Sequence, residues 1–325
     1  MGSARYRRRP MSNRLLVLCW HNIDPTPAFP APAGHGRRGF ERQLQLLARF
    51  TTVIRLSTAL DLIEHDEPLP PRAVVLTFDD GYRDMLDLAV PALAQAGLPA
   101  TFFLVPGLVS GRIRAWWEDL AAAFDRTEAE ELTWDGVRHD LGTPTARRQV
   151  HDRLLAPLKR LNHAAREDAV HQLTELLTPG DPDSDREYFL DWDGARALVS
   201  AGHEVGSHSA RHVILSRESA PVQATELADS RAELQSGLGV RVDTVAYPNG
   251  TGEDYDDTTL RLAREAGYRC ALTTRIGLAE RDHSPYEMRR MVIGPTTNVP
   301  SVARYGWQAA RTKFWARTPR ASSRR

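Results

Sequence analysis

Short apolar runs alternate with longer stretches of helical periodicity along most of this chain. Leu15 to Trp20 is a continuous apolar run of strand length that ends at His21, and Phe40 to Phe50 carries Leu44, Leu46, Leu47 and Phe50 at helical spacing. Thr52 to Leu56 reads as a strand, Ser57 to about His65 as a helix capped by Ser57, and Ala73 to Phe78 as a β-branched strand. Tyr82 to Ala96 predicts a helix stopped by Gly97, followed by a strand from Ala100 to Val105. The rhythm returns at Asp191, read as the N-cap of a helix over Gly194 to Ser200. A strand from His203 to Gly206 follows, then a helix over Gln223 to Gly237, a strand over Val242 to Tyr247, a helix over Thr258 to Ala266 and a strand over Cys270 to Thr274. Ser284 to Ile293 closes the globular part. Such alternation predicts an α/β protein with a parallel sheet, open or closed.

Residues 111 to 190 break the rhythm. They read as helices over Arg114 to Phe124, Pro144 to Leu161 and Ala164 to Leu177, with nothing strand-like between them. A block of roughly 80 residues is longer than one crossover between parallel strands needs. It is read as an insertion that emerges near the strand ends and either covers the site or buttresses the barrel. His151, His163 and His171 inside it read as surface helix residues. The expected organisation is a basic tail over 1–14, a barrel formed by 15–110 and 191–300, a helical insertion over 111–190 and a second basic tail over 301–325.

With 42% hydrophobic residues in 325, the chain can bury a full core. Lys plus Arg and Asp plus Glu are equal at 42 each, so no overall field steers it to nucleic acid, and none is expected as a partner. The charge is uneven at the ends. Arg5, Arg7, Arg8, Arg9 and Arg14 come without an acid, as do Arg304, Arg311, Lys313, Arg317, Arg320, Arg324 and Arg325. Two readings stay open: solvated tails, or a weak peripheral membrane contact in which Trp307, Phe314 and Trp315 assist the C-terminal basic residues. Leu15 to Trp20 is too short for a signal-peptide core and lacks a small-residue cleavage site, which sets the expectation of a cytoplasmic enzyme. Cys19 and Cys270 make no disulfide framework; buried free thiols are expected, with pairing between neighbouring strands left open.

Two patterns carry chemistry. Val74 to Phe78 delivers adjacent carboxylates, Asp79 and Asp80, where a strand must end, and Gly206-Ser207-His208-Ser209-Ala210-Arg211-His212 places two imidazoles four residues apart. One carboxylate and two neutral imidazoles are the protein ligands of an open hydrolytic Zn²⁺ site, and the second carboxylate is then free to act as base. An Asp pair alone is mostly a turn or a cap, and a lone His pair arises by chance on helix faces. Their conjunction beside strand-like runs is the stronger signal.

Thr77-Phe78-Asp79-Asp80-Gly81, His208-Ser209-Ala210-Arg211-His212 and Ala246-Tyr247-Pro248-Asn249-Gly250 resemble, in order, three motifs of the polysaccharide deacetylases, the NodB-homology or carbohydrate esterase family 4 enzymes. The third has the form of an Ala-Tyr-Pro branch. The resemblance implies a distorted (β/α) barrel with a helical insertion, with Asp80, His208 and His212 holding a divalent metal, Zn²⁺ foremost with Co²⁺ or Ni²⁺ as substitutes. It implies Asp79 as base and the backbone N–H of Tyr247 as an oxyanion donor. Ala246 stands where many members have the arginine that orients the base, and Arg290, within Tyr286 to Met291, resembles the late arginine of the Ala-Tyr-Pro branch. No late Leu-x-His motif is found, His283 lying in a polar stretch; Trp20-His21-Asn22-Ile23 resembles the element that supplies the acid in that branch, which points to His21.

The implied reaction is removal of an N-acetyl group from an amino sugar of a glycan, glycolipid or glycosylated small molecule. The alternative is an amidase or cyclic-imide hydrolase on a non-sugar amide, because fold does not separate these. A noncatalytic binding barrel predicts damaged ligands, whereas Asp79, Asp80, His208 and His212 are all present. For the tail, flotation with anionic liposomes separates its two readings: membrane contact predicts that deleting 302–325 lowers the bound fraction, and equal partitioning eliminates it.

Overall fold

A computed structural model describes residues 14–30, 36–178, 188–280 and 283–294. Both basic tails lie outside these residues, apart from Arg14, which opens the first strand. In chain order the first half contains β1 (Arg14–Trp20), α1 (Arg37–Phe50), β2 (Thr52–Val53), α2 (Leu56–Glu64) and β3 (Ala73–Phe78). A π-helical turn over Met85–Ala89 then runs into α3 (Val90–Ala96), followed by β4 (Thr101–Leu104) and α4 (Pro106–Val109). The insertion comprises α5 (Trp116–Arg126), β5 (Glu131–Trp134), β6 (Val137–Asp140), α6 (Pro144–Arg160) and α7 (His163–Leu177). The second half contains α8 (Trp192–Ser200), β7 (Glu204–Ser207), α9 (Ala220–Leu238), β8 (Thr244–Ala246), α10 (Asp257–Glu265), β9 (Cys270–Leu272), β10 (Ala279–Glu280) and β11 (Met291–Val292).

The main sheet runs β10-β1-β3-β4-β7-β8-β9, with β2 beside β3 and β11 beside β1. All its pairings are parallel except β10 on β1. Parallel strands covered on both faces need apolar side chains at nearly every position, which is why β3 and β4 are buried throughout. Met288 bridges to Leu272 of β9 while Met291 and Val292 pair with Leu18 and Cys19 of β1, so the 288–292 segment joins the two ends of the curled sheet. The architecture is the expected distorted (β/α) barrel. Alternate residues divide between two cores: Leu16 and Leu18 face the helices, while Leu15 and Val17 meet Val75, Phe103, Ala246, Leu272 and Met288 inside the curl.

Where local structure departs from expectation, distant groups are the cause. The strand after α1 is only two residues, and α2 starts at Leu56 without a cap from Ser57. Glu204, at the start of β7, instead accepts hydrogen bonds from the Leu56 and Ser57 amides, at 3.0 and 3.3 Å, and from the Ser57 hydroxyl. The helix expected from Tyr82 begins later, at Met85, because the Arg83 and Leu190 amides bond across to Tyr188 and Gly81. Asp191 does cap α8, accepting from the Gly194 amide at 2.8 Å.

The insertion is not wholly helical. β5 and β6 form an antiparallel hairpin in which Trp134 pairs with Val137 across Asp135-Gly136, both at positive φ (51° and 72°), as a type I′ turn requires. Its helices and hairpin share a separate core that includes Leu120, Phe124, Leu132, Val150, Leu158 and Leu173. No helix among the described residues is long and apolar enough to cross a membrane. Cys19 and Cys270 are both free and buried.

Gly206 tests how tightly the barrel is packed just before the histidine loop. A Cβ there would overlap the Phe103 ring and sit 2.8 Å from the Thr244 hydroxyl. Gly206→Ala is therefore expected to lose about 1–3 kcal/mol of stability, as overpacked cores do. Urea denaturation with an unchanged midpoint would show that the strand accommodates the methyl group.

Candidate functional site

β3 delivers both carboxylates. The Asp79 amide still bonds to the Trp20 carbonyl at 2.9 Å, as a continuing strand does, but Asp80 and Gly81 turn into the left-handed region at φ 77° and 85°. Such a conformation is strained for a residue with a Cβ and is kept where surrounding structure demands it. The turn separates two neighbouring side chains: Asp79 meets Arg290, and Asp80 meets the two histidines. β7 delivers His208, whose amide bonds to the Leu104 carbonyl at 2.9 Å. His212 then arrives through a loop with positive φ at Ser209 and His212 (61° and 56°), so the four-residue spacing is not a helical turn here.

Asp79 and Arg290 form a bidentate pair. The guanidinium donates from Nη1 to Oδ1 at 2.7 Å and from Nη2 to Oδ2 at 2.6 Å, and both side chains are 1% exposed or less. Arg290 also donates from Nε to the Thr273 carbonyl at 3.0 Å and from Nη1 to the Thr77 hydroxyl at 3.2 Å. Burial alone would raise the Asp79 carboxyl, but the Arg290 charge and hydrogen bonds outweigh it and hold it below its ordinary value. Arg290 thus occupies the orienting position that Ala246 cannot fill.

Asp80, His208 and His212 converge. Both imidazole Nε2 atoms lie 3.3 Å from Asp80 Oδ1, which is buried without a hydrogen-bond partner among the described residues. His208 Nδ1 lies 2.7 Å from the Ala246 carbonyl; donation there fixes the tautomer and leaves Nε2 bare. Burial pushes the His212 imidazole down to about 4 against the pull of Asp80, so it is neutral at neutral pH, as a metal ligand must be. His208 is pulled down by burial and up by Asp79 and Asp80, with the carboxylates prevailing. Ligand atoms about 2.0–2.1 Å from a tetrahedral Zn²⁺ stand about 3.3–3.4 Å apart. Each bare nitrogen has that spacing from the orphaned oxygen, and the three atoms lie within 4.8 Å of one another, so the trio fits a divalent cation.

The carboxylate motif is also anchored from outside the barrel. Tyr82 donates to Glu118 of α5 at 2.7 Å and accepts from the Trp117 indole at 2.8 Å, and the Trp117 ring lies 4.5 Å from that of His212. Glu118 accepts further bonds from the Thr26 hydroxyl and the Ala28 amide. Asp84 accepts from the Ile23 and Asp24 amides at 2.6 and 2.8 Å, which fixes the loop after His21. Burial pushes its carboxyl up to about 6. Neither Glu118 nor Asp84 stands out in the sequence, because each looks like an ordinary helix or turn acid.

These groups enclose a cavity of about 300 Å³ lined by Asp79, Asp80, His208, His212, His21 and Tyr247, with aromatic walls from Phe29, Trp116 and Trp117. His21 reaches the site as expected: its ring lies 5.9 Å from that of Phe29, and its nitrogen, Cys19 Sγ and an Asp79 oxygen lie within 4.8 Å of one another. Tyr247 requires a correction. Its backbone N–H donates to the Leu272 carbonyl at 3.0 Å in the sheet and is not free for an oxyanion. Its side chain packs in the helix-facing core, with the ring 5.0 Å from that of Tyr255, and its buried hydroxyl has no hydrogen-bond partner among the described residues. His151 is a second correction, being 2% exposed and part of the cavity wall rather than on the surface. His283 lies 3.9 Å from Glu280 and does not line the cavity.

The polysaccharide deacetylase family model matches residues 66–271, and the chain belongs to that family. It is accordingly a hydrolase of carbon–nitrogen bonds other than peptide bonds. YxkH of Bacillus subtilis (strain 168), which carries a polysaccharide deacetylase name, is 22% identical over 284 residues, 87% of this chain and 72% of its own. Among solved structures, the deacetylase PplD of Streptococcus pyogenes, in complex with acetate, superposes with a TM-score of 0.60 at 18% identity, covering 90% of this chain and 97% of that one. IcaB of Ammonifex degensii gives 0.58 at 20% identity, covering 91% and 98%.

The ion pair inside the barrel is directly testable. Removing one partner strands a buried charge, so Arg290→Met is expected to lose about 3–5 kcal/mol of stability. Chemical denaturation reads this as a lower midpoint; an unaltered midpoint would mean that Asp79 does not need its partner.

Proposed function

We propose that this protein removes the acetyl group from an N-acetylated amino sugar, using a divalent cation held by Asp80, His208 and His212. The 3.3 Å convergence of both Nε2 atoms on an unpartnered Asp80 oxygen carries this reading. When bound, such a cation polarises a carbonyl and acidifies water. Two nitrogens and one oxygen suit Zn²⁺, and Co²⁺ or Ni²⁺ would also be accepted.

The chain's own groups divide the proton traffic. Asp79, held rigid by Arg290, takes a proton from the attacking water; its low basicity makes orientation matter more than proton affinity. Water oxygen bonds to the acetyl carbon, the carbon–nitrogen bond breaks, and His21 gives the departing amine its proton. The Tyr247 amide, committed to the sheet, does not serve as a donor to the developing oxyanion. Phe29, Trp116 and Trp117 offer flat apolar walls suited to the C–H face of a pyranose, which favours a sugar over a linear amide.

Purified protein is expected to contain one divalent cation and to release acetate from N-acetylated amino sugars. Asp80→Ala should lose the metal. His21→Ala should retain it and lose about 10²–10⁴ in kcat, the usual contribution of general acid–base catalysis. Metal analysis with an acetate assay reads both; an unchanged kcat in His21→Ala removes that residue from the mechanism.

A further inference from the structure

The cavity is closed on one side by the insertion rather than by the barrel. Along α6, His151, Leu155 and Lys159 recur every fourth residue, so they share one stripe, and all three line the same cavity as Asp80, His208 and His212. Trp116 and Trp117 of α5 extend this wall.

Two of these groups have unused bonding capacity. His151 Nδ1 lies 2.9 Å from Asp152 Oδ1, where an Nδ1–H donates, and its buried Nε2 has no hydrogen-bond partner among the described residues. In the neutral ring that nitrogen is an acceptor awaiting a hydroxyl. Lys159 makes no hydrogen bond or ion pair with any described residue. Behind Trp116, Arg166 of α7 is 1% exposed, lies 5.2 Å over the indole ring, and has no hydrogen-bond partner among the described residues on any of its guanidinium nitrogens. The wall and the layer behind it therefore carry two cations that no carboxylate among the described residues contacts directly, although Asp254 and Asp80 act on Lys159, and Glu218 and Glu167 on Arg166, from a distance. On the barrel side the Asp79 and Arg290 charges cancel, and a divalent cation exceeds the single charge of Asp80. The whole cavity is then positive, and a half-buried ammonium gains from an anion what a neutral hydroxyl cannot give it.

Resting on the deacetylase reading of the cavity, we propose that the α6 wall is a subsite for an anionic substituent, a phosphate or carboxylate carried by the N-acetylated sugar. Lys159 contacts the anion, and His151 accepts a hydrogen bond from a sugar hydroxyl. The substrate class is thereby narrowed from amino sugars in general to acidic ones.

The test uses the full metal-loaded chain with N-acetylglucosamine, its 1-phosphate and 6-phosphate, and N-acetylmuramic acid as the carboxylate probe. Calorimetric Kd and KM for acetate release are both measured. At least one acidic sugar is expected to have a KM tenfold or more below that of the neutral sugar, the scale of a charge-assisted hydrogen bond. Phosphate and carboxylate arms show which anion is meant. Lys159→Met should collapse the ratio of neutral to acidic KM, and Lys159→Arg should preserve it, with melting temperature and metal content of both variants matching the parent. His151→Phe should raise KM for every sugar. Acetate release without preference for the acidic sugars, or a preference that survives Lys159→Met, overturns the subsite while leaving the deacetylase reading intact. Calorimetric binding of an acidic sugar that Lys159→Met weakens, without acetate release from any sugar, supports the subsite and removes the deacetylase reading instead.

Discussion

The buried ion pair between Arg290 and Asp79 is the constraint on which the rest of the site depends. Two adjacent carboxylates at one strand end repel each other, and without a discriminating partner nothing would set one apart from the other. Arg290 removes that ambiguity by taking both oxygens of Asp79 in a bidentate grip, leaving Asp80 to the histidines. The left-handed backbone at Asp80 makes the separation geometric as well as electrostatic. The same arginine lies on the 288–292 segment that joins β9 to β1, so closing the barrel and fixing the Asp79 carboxylate are one structural event.

The insertion belongs to the site as much as the barrel does. Glu118 gathers hydrogen bonds from Tyr82, Thr26 and Ala28, connecting the carboxylate motif, the loop after His21 and α5 at one buried point. Trp117 touches both Tyr82 and His212. Structural relatives with the same barrel at 18–20% identity show that the scaffold tolerates wide sequence change. Residues of α5 and α6 line the cavity together with those of the barrel.

Much of this was legible in the chain. Strand ends could be read because parallel strands are continuous apolar runs, and the residues that follow them, His21, Asp79 and His208, do meet in one cavity. The hairpin was missed because only Leu132 and His139 of its strands are buried, which leaves no alternating apolar pattern, although Asp135-Gly136 was a usable turn signal. The role of Glu204 was hidden by sequence distance: it bonds amides almost 150 residues away, and a local cap reading favoured Ser57 instead. His151 looked like a surface residue because helical spacing gives the stripe and not what faces it. The fate of the Tyr247 amide depended on β8 pairing with β9, which no motif records.

The most direct test of this division of labour is the position of the metal in a crystal of the full chain grown with Zn²⁺, located by anomalous scattering. The account predicts one strong peak about 2.0–2.2 Å from Asp80, His208 Nε2 and His212 Nε2, with Asp79 still paired to Arg290. A peak at the neighbouring group formed by Cys19, His21 and Asp79, or Asp79 released from Arg290 to bind the ion, would contradict it.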